Sequence, residues 1–196
     1  PPSIIESAAK QLGFPLGPIQ LVDETSIELG AKIARATKAA MGALYPNEQI
    51  DKILFWMEQE GRLGRKAGAG FFNYNEKGKR EGFWKGLEEK YPLSTTIPTF
   101  EDVQHRLMFI QALEAVRALE EGVLMDIREG DVGAILGWGF APWSGGPLSW
   151  LDILGTPYAA ERCQALYETY GPRFECPPLL ADMGKNNEAF YERFSP

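Results

Sequence analysis

One histidine and two cysteines stand among the 196 residues of this chain, and that scarcity removes whole classes of chemistry. A metal centre draws on grouped histidine, cysteine and carboxylate ligands, and His105, Cys163 and Cys176 fall at no spacing that supplies one. So few cysteines in a chain this long describe reduced, packed thiols and a reducing, cytoplasmic location rather than a disulfide framework. The apolar runs are far shorter than the roughly 18 to 20 residues that cross a bilayer, and no charged leader precedes one, so no membrane span is expected. Positive charge is short as well. With 20 Lys and Arg against 27 Asp and Glu, the formal charge is −7, which argues against nucleic acid as a partner. No Gly-x-Ser-x-Gly elbow occurs, and Ser94, Thr95 and Thr96, in a linker, offer no convincing nucleophile near His105, so His105 reads as structural. From residue types alone the chain holds no complete active site and no catalytic residue.

What the chain does have is glycine, proline and tryptophan in two related runs. Residues 137–152 read GWGFAPWSGGPLSWLD, and residues 13–23 read GFPLGPIQLVD. Glycine and proline break helix interiors, so each run is a shaped corner rather than one regular element. In both, Gly-Phe follows an apolar helical stretch, a Gly-Pro pair comes next (Gly17-Pro18, Gly146-Pro147), and an aspartate lies five residues after that proline (Asp23, Asp152). The flanks agree with a duplication. Ser3 with Glu6, and more loosely Asp126 with Glu129, form capping boxes ahead of each corner. Pro18 and Pro147 suit the first position of a helix. Thr25 with Glu28, and Thr156 with Pro157, then cap a further helix, which Gly42 or Gly171 stops. Asp23 and Asp152 are placed to accept backbone N–H bonds, and Trp138, Trp143 and Trp150 are expected to fill the second corner.

Between the corners, Asn47 caps a helix with Ile50, Ile53, Leu54 and Met57 at helical spacing, ending at Gly61. GRLGRKAGAGFFNYN follows at residues 61–75, a glycine-rich loop leading into a short extended piece. It is neither a Walker loop nor a dinucleotide fingerprint. Arg62, Arg65, Lys66, Lys77, Lys79, Arg80 and Lys85 make this segment a basic neighbourhood in an acidic chain, opposed by Glu76 and Glu81, with a solvated loop and an anionic small molecule as the two readings. Residues 75–98 read as a linker with one short helix near 83–90. Thr99 with Asp102 opens the longest helix, running to Gly122 with Val103, Leu107, Ile110, Leu113, Val116 and Leu119 along one stripe. The domains are set at 1–93 and 94–196, each one copy of the helical unit, in an all-α chain.

The two corners, the loop GRKAGAGFFNYN and the run ALEEGVLMDIREGDVGAILGWGFAPWSGGPLSWLD together resemble the carboxy-terminal region of L-3-hydroxyacyl-CoA dehydrogenase, in the duplicated form of multifunctional fatty acid β-oxidation proteins. The resemblance covers nearly the whole chain. It implies a fold of the 6-phosphogluconate dehydrogenase C-terminal-like type, an NAD-binding Rossmann domain and an enoyl-CoA hydratase upstream, and oxidation of 3-hydroxyacyl-CoA to 3-ketoacyl-CoA. In that reaction a histidine of the missing domain takes the hydroxyl proton while hydride passes to NAD. A chain that opens Pro1-Pro2 fits a fragment of something longer, inactive alone and binding no cofactor itself. Leu113 stands where the family often has an asparagine before Glu114 and Ala115. The resemblance sets Pro15, Leu16 and Leu21 beside the acyl chain of an acyl-CoA substrate, and Arg65 and Lys66 toward the CoA phosphates. A thiolase subunit and a second copy of the chain are the outside partners it raises. The other reading is an autonomous all-α interaction or dimerisation module without catalytic role.

Overall fold

The computed structural model describes residues 1–45 and 48–195; Asn47, the expected cap, lies outside them. The chain divides into two compact units, residues 1–6 with 16–97 and residues 7–15 with 98–196. Helix α1 (Pro2–Gln11) gives its first residues to the first unit and the rest to the second. Among the described residues the regular elements are helices apart from one small hairpin.

In the first unit, α2 (Pro18–Thr25), α3 (Ile27–Met41) and α4 (Glu48–Gln59) follow one another. Pro18 occupies the start of α2, where its missing N–H costs nothing. The cap of α3 is Ser26 rather than Thr25: Ser26 Oγ accepts from Leu29 N, while Thr25 closes α2 and donates to the Leu21 carbonyl. Ile27, Ala31, Ala34 and Met57 are buried where α3 and α4 pack, and Arg35 pairs with Glu58 across their outer side. Strands β1 (Phe72–Tyr74) and β2 (Arg80–Phe83) pair antiparallel, Phe72 opposite Phe83, and α5 (Gly86–Lys90) follows. The linker expected over 75–98 is therefore partly a strand. Asn75 Oδ1 accepts from both Lys77 N and Lys79 N at 3.0 Å, Gly78 takes φ +68, and the turn so made folds β2 back until Phe83 stacks on Phe72 at 4.1 Å.

In the second unit, Thr99 Oγ1 accepts from Asp102 N and starts α6 (Phe100–Glu120) as expected. Val103, Met108, Phe109, Ala112, Leu113 and Val116 are all buried, an arc wider than one stripe, so the helix is enclosed on several sides. Leu113 is a core residue with no polar role. Helix α7 (Ile127–Trp138) is capped by Asp126, whose side chain accepts from Arg128 N, while Glu129 reaches back to Met125 N. Then come α8 (Pro147–Leu154), α9 (Thr156–Tyr170), α10 (Pro178–Asn186) and α11 (Phe190–Arg193). Thr156 does not cap α9, because Gly155 holds that position; its hydroxyl is buried and donates to the Glu188 carbonyl at 2.8 Å. The second corner is filled by Phe140, Leu148 and Trp150. Trp138 and Trp143 are each 58% exposed, contrary to expectation, since their indole N–H groups reach Gln111 Oε1 and the Leu12 carbonyl and hold the rings at the surface.

The two units share one internal plan. α2 and α8 are each eight residues long and α3 and α9 each fifteen, joined by one residue in nearly the same unusual conformation, Ser26 at φ 85, ψ 121 and Gly155 at φ 83, ψ 126.

Candidate functional site

The repeated plan is held by repeated carboxylates. Glu6 of α1 accepts from Ile19 N (2.8 Å) and Gln20 N (3.1 Å), the free amides that open α2. Asp131 of α7 accepts from Leu148 N (2.7 Å) and Ser149 N (3.0 Å), which open α8. Each acid is buried, and each satisfies two helix-end donors while sitting at the positive end of the helix dipole. This explains the Gly-Pro signature. A Cβ on Gly17 would stand 2.2 Å from Glu6 Oε2, and one on Gly146 would stand 2.4 Å from Asp131 Cβ, so glycine leaves the space the acid occupies. Glu6 is thus no member of a capping box with Ser3: it reaches forward to the next helix.

A second pair of clamps lies one step further along. Asp23 is 1% exposed and accepts from Phe71 N (2.8 Å), Phe72 N (3.0 Å) and Tyr74 Oη (2.8 Å). Asp152 accepts from Phe190 N (2.6 Å) and Tyr191 N (3.1 Å). Both aspartates do take backbone N–H bonds, but from segments 48 and 38 residues away rather than from the next helix. Burial, then the bond to Asp23, raises the Tyr74 hydroxyl pKa. Burial likewise raises that of Asp152, against its two amide donors. The three donors on Asp23 make its carboxylate the tie that organises the loop.

In the first unit that clamp fastens the glycine-rich loop to α2. Gly70 packs on Asp23, where a Cβ would stand 2.2 Å from Oδ1. Arg62 completes the hold: its guanidinium donates to the carbonyls of Gly70 (2.6 Å) and Phe72 (2.9 Å) and lies 4.5 Å over the Trp84 ring, with burial lowering its pKa and Asp23 opposing that. Arg65 is exposed, donates from Nη1 to Glu24 at 2.8 Å and from Nε to the Gly78 carbonyl at 3.1 Å. Lys66 beside it is exposed. Leu21 is 45% exposed on α2, one turn from Glu24, and Leu16 is half-buried at the corner. Leu16, Leu21, Arg65 and Lys66 therefore belong to the first unit, whereas Pro15 is exposed in the second, against Gly139. Sequence reading missed the Glu6 and Asp131 clamps and the half-buried role of Arg62; the acid in each helix preceding a Gly-Pro pair is the signal that would have found the first two.

In the second unit His105 is half-buried, accepts at Nδ1 from Arg162 Nε (3.2 Å) and meets Phe109 edge-on. Arg162 also pairs with Asp102 at 2.8 Å, and Tyr170 donates to the same carboxylate at 2.6 Å. Burial, then the Arg162 charge, lowers the His105 pKa. This is a tie between α6 and α9. Among the described residues no cluster of three or more His, Cys, Asp or Glu could hold a metal ion, both cysteines are free, and no helix is long and apolar enough to cross a membrane.

Residues 1–74, which hold the first corner and the Gly-Arg-Lys loop, match the family described as 3-hydroxyacyl-CoA dehydrogenase, C-terminal domain. The chain is 36% identical over 190 residues, 96% of its length, to the fatty acid oxidation complex subunit alpha of Vibrio vulnificus, and spans 26% of that relative. Two solved structures share the fold: 3-hydroxybutyryl-CoA dehydrogenase of Escherichia coli (TM-score 0.65, 18% identity, 95% of this chain, 55% of that one) and the dehydrogenase part of multifunctional enzyme 1 of C. elegans (TM-score 0.65, 24% identity, 91% of this chain, 41% of that one).

Proposed function

We propose that this chain is the substrate-side and assembly region of an NAD-dependent L-3-hydroxyacyl-CoA dehydrogenase, a protein of fatty acid β-oxidation that converts 3-hydroxyacyl-CoA to 3-ketoacyl-CoA. The observation that carries the reading is the family match over residues 1–74, extended by the similarity over 190 residues to the alpha subunit of a fatty acid oxidation complex. The residues present do not fit NAD. A dinucleotide site needs parallel strands and a glycine-rich strand-to-helix turn, and the described residues offer only an antiparallel hairpin. The redox half of the reaction is accordingly assigned to a Rossmann domain elsewhere in the parent protein, next to an enoyl-CoA hydratase domain.

Within this reading Pro15, Leu16 and Leu21 border the acyl chain, and Lys66, with Arg65 behind it, lies toward the CoA phosphates. The exposure of Leu21, an apolar residue on a helix fastened at its start by Glu6 and near its end by Asp23, supports a contact role. The assembly role is supported by Val132 and Leu136, exposed together along α7, as a face for a thiolase subunit or a second copy of the chain. The two free cysteines accord with a reducing, cytoplasmic setting.

The test joins this chain to an NAD-binding dehydrogenase domain and follows NADH formation from L-3-hydroxyacyl-CoA. Leu16→Asp and Leu21→Asp are expected to raise KM for long acyl chains more than for the four-carbon substrate. A KM unchanged in both variants at every chain length refutes the contact assignment. Light scattering with and without Leu136→Asp checks the α7 face.

A further inference from the structure

The two Asp clamps differ in what they hold. In the second unit Asp152 takes the amides of Phe190 and Tyr191 directly after the short α10 and its Asn187 cap, with no glycine-rich loop and no hairpin. The clamp itself therefore needs neither. In the first unit the same clamp carries the basic loop and the β1–β2 hairpin, and these extra residues call for a separate reason.

The cations there are of two kinds. The arginines are occupied: Arg62 on backbone carbonyls and the Trp84 ring, Arg65 on Glu24 and the Gly78 carbonyl, Arg80 on Gln20 Oε1 and over the Phe72 ring. Lys66, Lys77 and Lys79 are exposed, and their ammonium groups have no partner among the described residues. They are also gathered. The bond from Arg65 Nε to the Gly78 carbonyl fastens the 65–67 turn to the hairpin tip, which puts Lys66 on one side of that bond and Lys77 and Lys79 on the other. Asn75 Oδ1 holds the backbone amides of Lys77 and Lys79, so the tip has a set shape. Glu24 is taken up by Arg65, and Glu76 is the carboxylate left in the tip.

We propose that the 65–67 turn and the 75–79 hairpin tip form a binding site for a multiply charged phosphate ester, with Lys66, Lys77 and Lys79 as its ligands. The inference rests on the acyl-CoA reading above and assigns the site to the nucleotide end of coenzyme A, an adenosine carrying phosphates at its 3′ and 5′ positions. Lysine suits such a site because it is a compact point charge on a flexible stem that meets phosphate oxygens without a fixed fork geometry. Three such charges, carried by residues adjoining the two ends of the Arg65–Gly78 hydrogen bond, can converge on one dianion, an attraction that salt screens over about 8 Å at physiological strength. Arg65 holds the two loops in place and is not itself a ligand.

The test titrates the full chain with adenosine 3′,5′-bisphosphate, with inorganic phosphate alongside, by calorimetry at two salt concentrations. Binding is expected to weaken with salt, to be tighter for the bisphosphate than for phosphate, and to weaken roughly tenfold or more when Lys66→Ala, Lys77→Ala and Lys79→Ala are combined. The three side chains hold nothing in the fold, so the triple variant should keep its helical spectrum; Lys185→Ala serves as the charge control. Equal binding by the triple variant and the unaltered chain, or no binding by the unaltered chain, overturns the proposal. Bisphosphate binding that the triple variant loses, with acyl-CoA bound no more tightly than bisphosphate, upholds the site and removes the acyl-CoA reading. Acyl-CoA binding that the triple variant keeps does the reverse.

Discussion

Replacing Asp23 by asparagine tests the clamp that fastens the glycine-rich loop. The carboxylate is 1% exposed and receives three donors, Phe71 N on one oxygen and Phe72 N with the Tyr74 hydroxyl on the other. An amide keeps a single oxygen, and in either orientation its NH2 points at a backbone N–H that has no other acceptor. Hydrogen bonds to a charged group contribute about 1.5–3 kcal/mol each, and an orphaned buried donor costs about 1–3 kcal/mol. One bond is lost and one donor is stranded, partly relieved by rotation of the Tyr74 hydroxyl, so the expected loss is about 2–4 kcal/mol. In a chain of this size about 2–4 °C of melting temperature corresponds to each kcal/mol, giving a fall of roughly 4–16 °C. Calorimetry reads that shift, and hydrogen exchange should show Phe71 and Phe72 losing protection while Phe190 and Tyr191 keep theirs. A variant that melts within about 1 °C of the unaltered chain, with both amides still protected, refutes the reasoning.

Gly70→Ala should damage the same clamp from the other side, because its Cβ would lie 2.2 Å from Asp23 Oδ1, and its melting temperature should fall by a comparable amount. Gly133→Ala in α7 is the contrast: nothing lies within 4 Å of its Cβ, so removal of a helix-interior glycine should leave stability unchanged or raise it by about 0.5–1 kcal/mol in urea denaturation. Glu6→Ala and Asp131→Ala should each cost about 1–2 kcal/mol, as losses of helix-end acceptors, and should deprotect the opening amides of α2 and α8 respectively. His105, whose folded pKa is depressed below the ordinary 6.5 by burial and by Arg162, favours the native state while neutral. Its contribution is present above that value and is lost as pH falls through it toward the folded pKa, so melting curves of the unaltered chain should drop more steeply on acidification than those of His105→Gln.

Local backbone chemistry was legible; its distant partners were not. The Gly-Pro pairs announced the starts of α2 and α8 because proline fixes φ and has no N–H to satisfy, while glycine admits conformations other residues resist, whatever surrounds them. Thr99 likewise marked α6, since a cap acts within three residues. The reason for Gly17 and Gly146 lies in Glu6 and Asp131, and only the recurrence of an acid in the helix before each Gly-Pro pair hints at it, since the contact itself spans more than ten residues. Strand β2 escaped notice because it depends on Phe83 finding Phe72 across a turn. Trp138 and Trp143 were assigned to the interior on residue type, yet indole N–H groups that find acceptors at the surface keep their rings there. That Leu16 and Leu21 flank the first corner could be read from the motif, while the engagement of Arg65 by Glu24, 41 residues away, could not.

The central claim is that this chain supplies substrate contacts and packing to a dehydrogenase whose redox machinery lies in other polypeptide. The most direct measurement is NADH formation by the purified 196-residue chain given NAD and an L-3-hydroxyacyl-CoA, beside the same chain joined to an NAD-binding dehydrogenase domain. The account predicts no turnover from the chain alone and turnover from the joined protein; sustained NADH formation by the chain alone would contradict it.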